Sequence, residues 1–180
     1  GYHQARHAEG AVWAGHAEVA ISFAGDPLGL REAERLNNLA NVRRGAGAYS
    51  EAQGLYERAL ALRERALPPD HPAIAASLNN LAINHQDQGR YAEAKSLHER
   101  ALAVREKALG PEHPDVAASI GNLAILHVAT GAYAEAKPLN ERALAILEKA
   151  LGPEHPDVAM SLNNLADIHT VMGAHAEAKT

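Results

Sequence analysis

Between Pro114 and His155 the apolar residues recur at steps of three and four rather than two. Val116, Ile120, Leu123, Ala124 and His127 form one helical stripe. Pro114 suits the first turn of that helix, where its missing N–H costs nothing. Gly131 ends the helix, and Tyr133 starts a second whose stripe is Ala136, Leu139, Ala143, Ile146 and Ala150. Gly152 and Pro153, following Leu151, break the second helix. Pro138, beyond the first turn, removes a backbone hydrogen bond and is expected to bend it slightly. The result is a helical hairpin that must hide its apolar stripes on neighbouring hairpins.

Those neighbours are visible because the pattern returns every 42 residues. Leu36-Asn37-Asn38-Leu39-Ala40 reappears as Leu78-Asn79-Asn80-Leu81-Ala82, then Ile120-Gly121-Asn122-Leu123-Ala124, then Leu162-Asn163-Asn164-Leu165-Ala166. The turn repeats as Gly47/Tyr49, Gly89/Tyr91 and Gly131/Tyr133, and changes to Gly173/His175. Small Ala82, Ala124 and Ala166 stand where two helices approach closely. A fixed period of this size marks an array of stacked supersecondary units.

The predicted units are residues 31–72, 73–114 and 115–156, then a partial fourth over 157–180 with a first helix and a stub. Residues 1–30 keep the register weakly, with Trp13 in the place of Leu139 and Pro27 in that of Pro153. Residues 6–24 are therefore read as the second helix of a degenerate upstream hairpin. Both ends fall inside repeat units and no polar capping helix is evident, so a piece of a longer protein is expected.

Composition narrows the function. The chain of 180 residues carries a formal net charge of −5 without a dense Lys/Arg cluster, which argues against nucleic acid and anionic membrane surfaces. No apolar run is long enough to span a membrane, and the N-terminus lacks the layout of a secretory signal. The absence of cysteine removes disulfides, thiolate metal sites and a Cys nucleophile. It is compatible with the cytoplasm, where the chain is expected.

Leu-x-x-Leu-Ala, Gly-x-Tyr and a later Ala-Leu in helical hairpins resemble tetratricopeptide repeats. The 42-residue length and the connector Leu-Gly-Pro-Glu-His-Pro-Asp-Val-Ala, at Leu109–Ala117 and Leu151–Ala159, are similar to the kinesin light chain subtype. The resemblance covers residues 31–180 closely and implies an all-α, right-handed superhelical solenoid of antiparallel hairpins. The heptad coiled coil that binds kinesin is absent from this sequence.

In such arrays the first helix of each hairpin lines a concave groove. Helical spacing buries Leu78, Leu81, Ala82 and His85 and leaves Ala76, Asn80, Ile83 and Asp87 to face that groove. The corresponding stripes are Glu34, Asn38, Asn41 and Gly45; Ala118, Asn122, Ile125 and Ala129; and Met160, Asn164, Asp167 and Val171. Asn38, Asn80, Asn122 and Asn164 form a ladder whose carboxamides both donate and accept. The resemblance implies that they contact a peptide backbone; the competing reading is that they hold neighbouring helices in register. Ile83 and Ile125 give an apolar centre, with Gln86 and Val128 one turn further on, and Arg44 offers positive charge at the N-terminal end. The expected ligand has apolar anchors and few acidic residues.

Eleven histidines raise the question of a metal. His71, His113 and His155 repeat at 42 residues, as do His85, His127 and His169. Equivalent residues in adjacent hairpins lie about 8–10 Å apart, too far to share one ion. The first set is read as turn residues and the second as hairpin interior. Ser77, Ser119 and Ser161 are repeat positions that read as packing, and the Glu-Arg pairs at 57, 99 and 141 as a solvated face. No HExxH, GxSxG or phosphate-binding loop occurs, so neither a cofactor nor an enzyme is expected.

The leading expectation is a module that binds a protein or peptide. An end-to-end homo-oligomer built on the exposed Leu165/Ala166 face is the second, since open heterologous contacts propagate. A sensor arm of a larger signalling protein is the third.

Overall fold

The structure, a computed structural model, describes residues 28–177, with side chains through residue 173. The reading of residues 6–24 lies outside the described residues. Seven helices are described: α1 (Leu30–Gly45), α2 (Tyr49–Ala66), α3 (Pro72–Asp87), α4 (Tyr91–Leu109), α5 (Pro114–Ala129), α6 (Tyr133–Leu151) and α7 (Pro156–Glu177). No strand occurs among the described residues. The chain divides between Leu109 and Gly110 into two compact units. In the first, α1 pairs with α2 and α3 with α4, while α2 also packs on α3; in the second, α5 pairs with α6, and α6 packs on α7.

The hairpin turns come from the repeated glycine. Gly47, Gly89 and Gly131 adopt φ of 75°, 74° and 75°, the left-handed region that a side chain would disfavour. Each turn closes with a bond back to the carbonyl five residues earlier: Ala48 to Arg43 (2.9 Å), Arg90 to His85 (2.9 Å) and Ala132 to His127 (2.8 Å). This is the Schellman closure, which satisfies helix-end carbonyls and reverses the chain.

The histidines of the connectors have a role that their spacing did not disclose. Nδ1 of His71, His113 and His155 accepts the backbone N–H of Ala73 (3.1 Å), Asp115 (3.1 Å) and Asp157 (3.2 Å). Each imidazole thus caps the helix that the following proline opens, satisfying a donor that the first turn leaves over.

The core is made of small and branched side chains at the repeat positions. In the first unit Ala40, Ala52, Tyr56, Ile74, Leu78 and Ala101 belong to one buried cluster, and Ala33, Leu36 and Ala59 form a second. In the second unit Val116, Ile120, Leu123 and Ala124 are buried as the helical spacing predicts, whereas His127 is half-buried. The stripe of α6 sits slightly off its expected line. Asn140 and Leu147 are buried with Ala136, Ala143 and Ile146, Leu139 is half-buried and Ala150 is exposed. Helical periodicity fixes the face only to within a residue, and packing against α5 and α7 selects the line. α6 runs unbroken through Pro138.

α7 departs from the pattern. Earlier first helices end before the turn glycine, but α7 continues past Gly173 to Glu177. No second helix packs back on α7 among the described residues. Its Leu162 is consequently 46% exposed, where the equivalent Leu78 and Ile120 are at 0%.

Candidate functional site

The stripe beside each buried face stays accessible in all four first helices. Ala76, Asn80 and Ile83 are half-buried and Asp87 is exposed on α3; Asn38 and Asn41 are exposed on α1. On α5, Asn122 and Val128 are half-buried while Ile125 is 49% exposed, and on α7 Asn164 and Val171 are half-buried beside exposed Asp167. Within a unit, these side chains meet residues of the second helix that the search for identical repeated residues passed over.

In the first unit the stripe is tied up by its own chain. Tyr56, on α2 and 1% exposed, donates its hydroxyl to Asn41 Oδ1 at 2.6 Å. Burial pushes the phenol pKa up, with the nearby Arg44 acting in the opposite direction. Arg44 on α1 reaches Asp87 on α3 at 3.3 Å, so the positive charge expected at this end is engaged by a carboxylate. Asn80 Nδ2 donates to Asn37 Oδ1 at 2.9 Å, linking α3 to α1. Asn84 Nδ2 donates to the Tyr49 carbonyl at 3.1 Å.

One repeat further on, His98 of α4 takes the place of Tyr56 and is equally buried. Its Nδ1 lies 2.8 Å from Asn79 Oδ1 and its Nε2 lies 3.4 Å from Gln86 Oε1. Desolvation lowers the imidazole pKa to about 4, so the ring is neutral and donates from only one of its two nitrogens. Of the second repeated histidine set, His85 is buried with its pKa lowered chiefly by desolvation, His127 is half-buried and His169 is exposed. Ser77 is buried and meets the Arg63 guanidinium at 2.6 Å, across the packing of α2 on α3.

The second unit opens at this position. Asn140 stands in the register of Tyr56 and His98, 2% exposed, and donates only to the Ala136 carbonyl of its own helix at 3.4 Å among its described bonds. A carboxamide is much smaller than a phenol ring, and a cavity of about 290 Å³ lies beside it. Ile125 and Val128 of α5 and Ile168 and Val171 of α7 supply apolar walls. Tyr133, Asn140, Asn164 and Asp167 add one ring and three polar groups. Four of the expected site residues, Ile125, Val128, Asn164 and Asp167, are thereby brought together. Asn38, Asn41, Arg44, Asn80, Ile83 and Gln86 belong to the first unit, and Asn122 is on α5 outside the cavity lining.

Two further properties bear on chemistry. Among the described residues no three His, Cys, Asp or Glu side chains are grouped to hold a metal. No described helix is long and apolar enough to cross a membrane.

Comparison with known proteins agrees with this architecture. The family model described as tetratricopeptide repeat matches residues 31–107, 74–149 and 129–180. Among solved structures, the nearly identical TPR-like repeats of a Podosopora anserina protein described as a kinesin light chain are 34% identical, over 82% of this chain and 70% of that one, with a TM-score of 0.71. BtubC from P. vanneervenii shares the fold at 22% identity, covering 94% of this chain and 67% of that one, with a TM-score of 0.75. The Sgt2 TPR domain from Aspergillus fumigatus shares it at 20% identity, with 81% and 82% covered and a TM-score of 0.59. No curated protein matches the sequence significantly.

Proposed function

The chain belongs to the tetratricopeptide repeat family, and we propose that it receives a peptide or partner helix on the accessible stripes of its first helices. Repeats of this family are generally protein-interaction modules. The observation that carries the reading is the contrast within each first helix: one stripe is buried, and the adjacent stripe stays open at the same register. Ile83, Ile125 and Val128 give it apolar contact surface, and carboxamides at 38 and 164 give it groups that pair with any peptide backbone. Asn80 shares its carboxamide with Asn37 and acts first as a link between hairpins.

Peptide-display panning on the chain tests this reading. Binders should share apolar anchors and lose affinity to an Ile125→Asp variant that keeps its helicity, since Ile125 is half-exposed and its replacement leaves the core intact. Binders indifferent to that change, or none at all, would count against it.

A further inference from the structure

The space between the first helices of the first unit is filled from within. The Tyr56 ring occupies it, and the Arg44 guanidinium next to the phenol crosses to Asp87. Counting 84 residues on gives the equivalent positions of the second unit: Asn140 replaces Tyr56, Val128 replaces Arg44 and Val171 replaces Asp87. Ring, cation and partner acid are all gone. A carboxylate has arrived one turn earlier on α7, where Asp167 stands in the register of Ile83.

We propose that the cavity of the second unit is an arginine-binding subsite, which takes from a partner peptide the guanidinium that Arg44 provides internally in the first unit. The proposal rests on the peptide-binding reading and specifies its ligand. Asp167 is the charged group of the lining, and among the described residues that line the cavity there is no Lys, Arg or His. The carboxamide oxygens of Asn140 and Asn164 add acceptors at two further points. A guanidinium presents five donors in a planar fork and suits such a divided set of acceptors, whereas an ammonium is a point charge. The Ile125, Val128, Ile168 and Val171 walls receive the aliphatic stem, and Tyr133 adds an aromatic side chain to the lining. A purely apolar side chain would instead strip water from Asp167 and Asn140 without replacing it. The chain's net charge of −5 favours the same sign of ligand.

The test is an NMR titration of the intact chain with N-acetyl-arginine amide, N-acetyl-lysine amide and the neutral N-acetyl-norleucine amide. The arginine amide should move the backbone signals of Ile125, Asn164 and Asp167 and bind about fivefold more tightly than the lysine amide. Asp167→Asn should weaken it by about fivefold, and Asn140→Tyr, which restores the ring of the first unit, should abolish the response. A norleucine amide that binds as well as the arginine amide, or an Asp167→Asn variant that binds unchanged, overturns the subsite. Panned peptides that bind but ignore Asp167→Asn leave the peptide-binding reading standing and remove the arginine subsite. An arginine amide that docks in the cavity while no peptide binds does the reverse.

Discussion

Two units built on one 42-residue pattern treat the same position differently. The first places Tyr56 and then His98 there, each fully buried and each bonded to an amide of the adjoining first helix. The second places Asn140 there, and a cavity of about 290 Å³ remains. A ring at this register converts the accessible stripe into structure, while a small amide leaves it available. The cavity proposed as the arginine subsite therefore lies where the repeat departs from itself.

The largest effect expected from breaking that contrast is in the first unit. Tyr56→Asn copies the second unit's solution into a closed core and should destabilise by about 3–5 kcal/mol, the range for losing a buried aromatic. Urea unfolding measures it; a loss below about 1 kcal/mol, little more than a surface change costs, would mean that the ring is not a plug.

Acid should separate the units next. The pKa of His98 is lowered from 6.5 to about 4 in the fold, so the unfolded chain binds more protons between those values. Its stabilising contribution is complete above pH 6.5 and is lost as pH falls towards 4, amounting to on the order of 3 kcal/mol. His85, lowered mainly by desolvation, acts in the same direction. Hydrogen exchange at pH 5 and pH 7 should show α3 and α4 loosening more than α5 and α6; uniform loosening would contradict the assignment to His98.

Filling the open position is a smaller change. Asn140→Tyr should raise stability by about 1 kcal/mol if the second unit accepts the ring as the first does. A lower melting temperature would show that the two hairpins are not interchangeable at this site. Smallest of all is Arg44→Ala. It removes a partly exposed ion pair with Asp87 and should cost about 0.5 kcal/mol, measurable by the same urea titration.

The sequence discloses what is local and repeated. Proline at each connector and glycine at each turn set helix starts and stops through their own backbone preferences, so α5 and α6 begin at Pro114 and Tyr133 as read. The stripe beside the buried face was readable from helical spacing together with the family resemblance, which singles out the first helix of each hairpin. Two features escaped. The capping histidines look like turn residues until the backbone N–H groups of Ala73, Asp115 and Asp157 are placed beside them. The column Tyr56, His98, Asn140 contains three residue types and so does not show in a search for identity. Its signal was nevertheless present: a bulky polar residue at a fixed register, followed by a small one. Arg44 could be read as a charge but not as one held by Asp87, since that pairing depends on the packing of α1 alongside α3.

Isoleucine-methyl NMR of the chain titrated with a panned peptide tests the central claim most directly, because Ile125 and Ile168 report on the second unit's cavity and Ile74 on the first unit's closed core. Shifts concentrated at Ile125 and Ile168, with Ile74 unmoved, are predicted. Shifts at Ile74 without a response at Ile125 and Ile168 would contradict the account.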